Sequence, residues 1–318
     1  MLKYTLTVCS VAGFWQPLTW TSMFKHIFYK TFAAYLISTA YICVISQFIN
    51  IIINVDNSDE FTDTLYMMLT ILVAGYKQVY IWIYRKDFLD LINMLTEKPF
   101  APCDAIEIEI QEKFEYFIKN TRRYLIVVMI AVVAMILMSI SSDLKERNLT
   151  FKAWIPFDYS SPTVYFFVYT HQLIAMYDSA IVNVSSESLL CGFLQHICCQ
   201  FEILGHRLTK VKDDQNLLGA CISHHNRIFE YAYSVNDLFA KIIVAQFPVS
   251  MLVVCSNLFR LAMVTDLVSA FALVMYTNVM LVQIFNYCWF GNKVKLQFTA
   301  AYIISMNLES FVAVSINQ

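Results

Sequence analysis

Few side chains in this sequence are placed to carry out chemistry. Asp178 and Ser179 are adjacent, but no histidine lies at a position from which it would act as their base. His224 and His225 form a pair without further ligands at helical or turn spacing, so a metal site is not expected. The nine cysteines lack ligand-like spacing, and no glycine-rich phosphate loop is present. The sequence therefore predicts a protein that is not an enzyme and needs no metal or cofactor.

The more informative ionisable residues lie inside long apolar stretches, where a charge is costly unless it has a partner or a function. We expect Lys77 to extend its ammonium group to the nearest interface. Asp178 is expected to pack or form an ion pair near the inner end of its stretch, and His171 to be a hydrogen-bonded polar group between helices. Glu309 has two equally weighted roles, which are facing an ion path and pairing with a lysine.

The elements that position these residues are apolar segments of membrane-spanning length. The chain has 318 residues, is 58% hydrophobic and 14% charged, and contains only 6 glycines and 6 prolines. Soluble domains carry about 25% charged residues, and a helix needs about 20 apolar residues to cross a bilayer. The predicted fold is therefore an all-α integral membrane domain with seven transmembrane helices. The spans are approximately 31–53, 61–84, 124–140, 163–183, 237–259, 267–290 and 298–316.

Several segments extend beyond the length that a bilayer requires. The apolar periodicity of the fourth continues to about Leu204, and 42 helical residues measure about 63 Å. We expect helices four to six to project into the cytoplasm, and 105–122 to be a helix running into the third span. The first residues of the chain, up to about Trp20, are expected to form an amphipathic segment on the inner surface.

Basic residues indicate the orientation of these spans. Sixteen of the 22 lysines and arginines fall on one side and four on the other, which places the N-terminus in the cytoplasm and the C-terminus outside. The sequon Asn148-Leu149-Thr150 falls on the outer side, so Asn148 is a glycosylation candidate. This orientation opposes a G-protein-coupled receptor, and the Asp/Glu-Arg-Tyr and Asn-Pro-x-x-Tyr motifs of that class are absent.

Four local motifs, taken in order, resemble the insect odorant receptor family over nearly the whole chain. Gly13-Phe-Trp-Gln-Pro17 is similar to the family's entry motif, and the stretch from Leu218 to Phe247 resembles the family's approach to the fifth helix. Cys288 to Asn292 is similar to a Tyr/Cys-x-x-Gly-Asn signature, and Asn307-Leu-Glu-Ser-Phe311 to a Ser-Leu-Glu-x-Phe motif of the last helix.

The resemblance implies an odorant-binding subunit of a heteromeric, ligand-gated cation channel in the plasma membrane of olfactory neurons. Its partners would be a volatile odorant, membrane lipid and a shared co-receptor, assembled as a tetramer, with no nucleic acid. Cytoplasmic parts of the chain, about 184–236 and 286–300, would form an anchor-like region. The last helix would line the pore through Asn307, Glu309, Val312 and Ser315.

The sequence also departs from the family pattern. The family has an additional stretch between Lys295 and Phe298 and continues beyond Gln318, so we expect an exon-skipped or truncated chain whose anchor and gate are incomplete. A gustatory-type chemoreceptor channel, which shares the fold, is the alternative. Its last-helix signature of Thr-Tyr, five apolar residues and Gln-Phe is absent here.

An odorant site should be a mostly apolar pocket with a few polar groups, located in the outer halves of the second, third, fourth and sixth spans. Methionine suits adaptable surfaces, and tyrosine adds a polar tip to an apolar body. The ligand-binding candidates are Tyr66, Met67, Thr70, Met135, Met138, Tyr165, Phe166, Tyr169, Phe271 and Met275.

Overall fold

The protein is described by a computed structural model that covers residues 3–17, 19–54, 58–146, 149–211, 216–265 and 267–316. Within these ranges the chain is helical, with no strand. Their helices are α1 Lys3–Val11, α2 Met23–Ile53, α3 Ser58–Ile83, α4 Arg85–Met94, α5 Ala105–Glu146, α6 Pro162–Lys210, α7 Asn216–Met263 and α8 Leu267–Ile316.

The predicted all-α membrane fold is confirmed in its class. By length and composition, five helices of the described part are apolar enough to cross a membrane, and they lie in α2, α3, α6, α7 and α8. The long helices predicted from periodicity are present, since α6 has 49 residues and α5 runs without a break from 105 to 146. The side of the membrane on which each end lies remains a prediction.

The predicted division between the sixth and seventh spans is wrong. We expected helices at 267–290 and 298–316 joined by an inner connection, but α8 is one helix of 50 residues, about 75 Å long. The polar stretch between the two apolar segments contains no proline, and Lys293, Lys295 and Leu296 favour a helix. The polar residues between the two apolar segments therefore continue the helix and do not form a turn.

Helix α6 lies at the centre of the fold and contacts α1, α2, α3, α5, α7 and α8. Its start is set by Ser161 in an extended conformation followed by Pro162, whose missing amide hydrogen costs nothing in the first turn. From Asp178 to Leu204 almost every side chain is buried. This part of α6 therefore packs against other helices of the protein.

The N-terminal segment enters this core instead of lying on a surface. Cys9, Phe14 and Trp15 are buried in the main apolar cluster with α6 and α7 side chains. The turn after α1 uses Gly13 at a φ of +75°, a conformation that side chains rarely adopt. Gln78 Nε2 then donates to the Ala12 carbonyl oxygen at 2.7 Å, which fixes the turn against α3.

Candidate ligand-binding cavity

A cavity of about 110 Å³ lies between α3, α6 and α8, with one residue of α5 completing its wall. Side chains from four helices therefore meet at one small space inside the bundle. Its lining is mostly apolar, with polar groups gathered on the α6 and α8 walls. The lining residues are Met67, Thr70, Ile71, Val128, Met176, Ser179, Ala180, Asn183, Val184, Glu187, Met275, Tyr276, Val279, Met280 and Gln283.

The apolar part of the wall is rich in methionine. Met67 of α3, Met176 of α6, and Met275 and Met280 of α8 face the same space. Methionine is unbranched and polarisable, so it adapts to ligands of different shape. This wall can bind an apolar body without demanding a single geometry.

A hydrogen-bond chain joins α3 to α8 beside the cavity. Thr70 Oγ1 lies 2.8 Å from the Tyr66 carbonyl oxygen and 2.7 Å from the Tyr276 hydroxyl. Because Thr70 donates its one proton to the carbonyl, the Tyr276 hydroxyl must donate to Thr70 Oγ1. The rings of Tyr66 and Tyr276 also meet edge to face, 5.7 Å between centroids. These contacts hold the two helices on either side of the cavity.

The α6 wall carries the buried acidic residue Glu187, and Lys77 of α3, which does not itself line the cavity, interacts with this wall. Lys77 is fully buried, and its Nζ donates to Asn183 Oδ1 at 2.9 Å. Glu187, one turn further along α6, is close enough to interact electrostatically with Lys77. The expectation that Lys77 reaches an interface is therefore wrong, because α6 supplies its partners inside the bundle.

The structure brings some of the ten predicted ligand-binding residues together and separates others. Met67, Thr70 and Met275 line the cavity, and Tyr66 packs beside it. Phe166 and Phe271 are 59% and 63% exposed and do not line it. Tyr165 and Tyr169 are buried and stacked on each other, 5.7 Å between centroids, in the first turns of α6. The side chains of Met135 and Met138 lie outside the described part.

Sequence reasoning missed the polar wall and most of the α6 contribution. Asn183 and Glu187 are spaced four residues apart in α6, a pattern that places both on one face. That spacing, read together with Lys77 in the neighbouring helix, was the available signal. Tyr276 and Gln283 offered no comparable signal in the sequence.

Other predicted site residues cannot be placed by their side chains. Asn148, the glycosylation candidate, lies outside the described residues. Asn307, Glu309, Val312 and Ser315 belong to α8, but their side chains are likewise outside the described part. Their roles in a pore stay predictions.

A wider groove of about 470 Å³ lies between α2, the start of α6 and the segment 153–157. Ile42, Ile45 and Phe167, which line it, are exposed, so the groove opens on the outer surface of the bundle. His171 also lines this groove and is half-buried. The smaller central cavity is the better candidate for a ligand site because side chains of four helices line it.

A second polar cluster fixes the opposite end of α6. The Arg207 guanidinium donates to both oxygens of Glu107, Nε to Oε1 and Nη2 to Oε2, each at 2.8 Å. It also donates to the carbonyl oxygens of Pro99 and Ala101 at 2.9 and 3.2 Å. Glu107 Oε2 accepts from the Cys103 amide at 2.7 Å. We call these residues the Arg207 clamp, and they tie the segment 99–103 and the start of α5 to α6.

Ring and amide groups extend the clamp to α7. Arg207 can only donate, so His224 accepts through Nδ1, at 3.2 Å, and carries its proton on Nε2. That nitrogen donates to Gln200 Oε1 at 2.9 Å, and Gln200 Nε2 donates to the Phe100 carbonyl oxygen at 3.2 Å. The clamp therefore joins α5, α6 and α7 through a single connected network.

The two acidic residues of this region are held in their charged forms. Burial alone would raise the pKa of Glu107, but hydrogen bonds from Arg207 and Cys103 outweigh it and leave the pKa below its ordinary value. Hydrogen bonds from Lys210 and the Glu107 amide hold the pKa of Asp104 well below its usual range. Asp104 Oδ1 accepts from the Glu107 amide at 2.8 Å, which caps the start of α5.

A bundle of membrane-length helices around a small, mostly apolar cavity is the arrangement of a multi-pass membrane protein. The family model described as 7tm Odorant receptor matches residues 57–302, and the chain belongs to the odorant receptor family. The resemblance read from the motifs is thereby confirmed, and it favours an odorant receptor over the gustatory and G-protein-coupled alternatives.

Curated relatives and solved structures agree with this family. Odorant receptor 94a of Drosophila melanogaster is 26% identical over 248 residues, covering 75% of this chain and 64% of the relative. Odorant receptor Or1 of Anopheles gambiae is 29% identical over 205 residues, covering 54% and 49%. The chain thus spans less than two thirds of the length of these relatives.

The fold is shared with a solved insect receptor. The olfactory receptor OR5 of Machilis hrabei matches with a TM-score of 0.81 over 93% of this chain and 80% of that one, at 18% identity. The same receptor in complex with eugenol matches with a TM-score of 0.80 at 17% identity. At these identities the likeness concerns the arrangement of helices.

Proposed function

We propose that this chain is the odorant-binding subunit of a heteromeric, ligand-gated cation channel, and that the central cavity is its ligand site. The single observation that carries the proposal is the methionine-rich cavity at the junction of α3, α6 and α8. A cavity of about 150 Å³ holds benzene, so this smaller one of about 110 Å³ suits only small molecules, and its flexible methionine side chains must move to admit a ring. The solved relative with eugenol supports a small organic ligand for this fold.

The proposal includes assembly with a shared co-receptor subunit in a tetramer. Residues 184–204 of α6 are mostly buried within this subunit, so they support the anchor from inside and cannot form its outer contact. Large apolar side chains do face outward elsewhere in the proposed anchor-like region, including Tyr233 of α7 and Trp289 and Leu296 of α8. Exposed apolar surface of this extent favours contact with another subunit or with lipid.

We further place the protein in the plasma membrane of sensory neurons with a cytoplasmic N-terminus. The excess of basic residues on one side supports this orientation. Two of those sixteen residues, Lys293 and Lys295, now lie within α8, and the excess remains without them. An N-terminal epitope tag should be stained only after permeabilisation, and staining of intact cells would contradict the orientation.

The test of function is co-expression of the chain with the co-receptor and recording of odorant-evoked cation current. The current should persist when G-proteins are inhibited, and its loss would count against a ligand-gated channel. Ala180→Leu adds three carbons to the cavity wall and should abolish or strongly weaken the response. Ala34→Leu on the exposed surface of α2, away from the cavity and the anchor-like region, is the matched control and should respond like the parent chain. Equal responses of both variants would refute the cavity as the ligand site.

A further inference from the structure

The polar wall of the central cavity contains more hydrogen-bonding capacity than the protein itself uses. Glu187 and Gln283 both line the cavity, and they are only 5% and 3% exposed. Gln283 Oε1 receives a long hydrogen bond from Gln246 Nε2 at 3.4 Å, whereas Gln283 Nε2 has no partner among the described residues. A buried donor without a partner costs free energy, and such groups in native proteins mark a site for water or ligand.

Charge limits what can occupy the space beside this wall. Lys77 and Glu187 are a buried basic and acidic pair that interact electrostatically and together carry no net charge, and Lys77 Nζ donates to Asn183 Oδ1 at 2.9 Å. A cationic ligand would add an uncompensated positive charge, and an anionic ligand would meet the like charge of Glu187. The cavity therefore suits a neutral ligand.

Hydrogen bonding further limits which neutral ligands fit the cavity. As the ionised counter-charge of Lys77, Glu187 would only accept, so a ligand that bonds to it must donate. The free amide hydrogens of Gln283 favour a ligand group that also accepts, and a hydroxyl group does both. The methionine wall then receives the apolar remainder.

We propose that the ligands of this receptor are small neutral alcohols and phenols, with the hydroxyl directed to Glu187 and Gln283 and the apolar body among the methionines. The inference rests on the proposed function, because it specifies the ligand of the same cavity. Glu187 is thereby the residue that selects for a hydroxyl donor, and Lys77 keeps its charge balanced.

A ligand series that shares one ring separates the possibilities. The purified full chain is titrated with cyclohexanol, cyclohexanone, methylcyclohexane, cyclohexylamine and cyclohexanecarboxylate, and affinity is read from the ligand-dependent rise in melting temperature. Cyclohexanol should bind at least about tenfold more tightly than each of the others, because each alternative leaves a buried group unpaired or adds a charge. Affinities within about threefold of one another across the series would overturn the inference.

Two variants test the role of Glu187. Glu187→Gln keeps the size of the side chain and adds a donor. The affinity for cyclohexanone should therefore rise relative to that for cyclohexanol, until the two affinities differ by less than about threefold. The Lys77→Met/Glu187→Met pair removes both charges together and should also abolish the preference, while avoiding an unpaired buried lysine. Asp178→Asn changes a buried carboxylate of the same helix that does not line this cavity, and it should retain the full preference.

The outcomes distinguish this inference from the proposed function. If the parent chain binds the whole series equally, or if both Glu187 variants retain the alcohol preference, the cavity remains a ligand site and the hydroxyl assignment falls. If the folded parent chain binds no member of the series, the cavity is not the odorant site, and the proposed function and this inference fall together.

Discussion

The Arg207 clamp gives a stability prediction whose size follows from its geometry. Arg207→Met keeps the length of the side chain but removes the guanidinium, which donates to both oxygens of Glu107 at 2.8 Å. The Glu107 side chain is only 2% exposed, so its carboxylate would be left buried with one remaining hydrogen bond, from the Cys103 amide. Removing one partner of a buried ion pair costs about 3–5 kcal/mol.

The assay is thermal unfolding of the purified protein, followed by the fluorescence of its five tryptophans. For a chain of this size, 1 kcal/mol corresponds to roughly 2 °C of melting temperature, so Arg207→Met should lower it by about 6–10 °C. The Arg207→Met/Glu107→Met pair removes both charges and should recover most of that loss, because no uncompensated charge remains.

The exposed pair Lys113–Glu202 is the matched control. It also joins α5 to α6, at 2.8 Å, but its side chains are 58% and 36% exposed. Lys113→Met should therefore cost no more than about 1 kcal/mol. If Arg207→Met costs as little as Lys113→Met, or if the double variant is as unstable as the single one, burial of Glu107 does not govern the stability of this region.

Three further outcomes follow from the structure. Thr70→Val removes the acceptor of the Tyr276 hydroxyl and should lower the stability by about 1–3 kcal/mol. The double variant Thr70→Val/Tyr276→Phe should have a higher melting temperature than Thr70→Val, and a lower one would contradict Tyr276 as the donor. The pKa of Glu107 is lower in the folded than in the unfolded protein, so the stability that it contributes is complete above its unfolded pKa and is lost as pH falls through the folded pKa. The difference in melting temperature between the parent chain and Arg207→Met/Glu107→Met should therefore stay constant from pH 7.5 to 6. Gly13→Ala puts a side chain at a φ of +75° and within 3.0 Å of a leucine methyl group, and should lower the stability by at least about 1–2 kcal/mol. Gly219→Ala, with no atom within 4 Å, should raise the stability by up to about 1 kcal/mol. Equal melting temperatures of the two variants would refute backbone strain at Gly13.

Periodicity predicted helix existence well and helix connection poorly. The length of α6 and the extension of α5 from Ala105 followed from apolar spacing that continues past the bilayer. The predicted break in α8 was wrong because hydropathy detects only the loss of apolar character. A helix continues through polar residues when these favour helical structure. Asp104-x-x-Glu107, a capping pattern, marks the start of α5 within one residue and was a readable signal.

The rotation of each helix about its axis was the part that sequence could not supply. An amphipathic helix shows its buried face in its pattern, but the parts of the spans that hold the predicted ligand-binding residues are largely apolar all round. Thr70 and Met275 face the cavity while Phe166 and Phe271 face outward, and nothing in their own segments distinguishes these two pairs. The difference is set by which neighbouring helix covers each face, which is information carried by the assembled bundle.

Helix α6 shows why the polar residues in this chain occur where they do. Lipid offers no hydrogen bonds, so a span that carries Asp178, Asn183 and Glu187 is tolerated only if other helices surround it. The structure supplies that cover, because six helices contact α6 and its buried stretch begins at Asp178. Once the helix is covered, its polar side chains need partners within the protein: Lys77 bonds to Asn183 and is near enough to Glu187 to act on its charge. The same burial that permits an acidic residue in this helix therefore leaves Glu187 at the wall of the central cavity, and a selectivity for hydrogen-bond donors, as proposed above, would follow from that position.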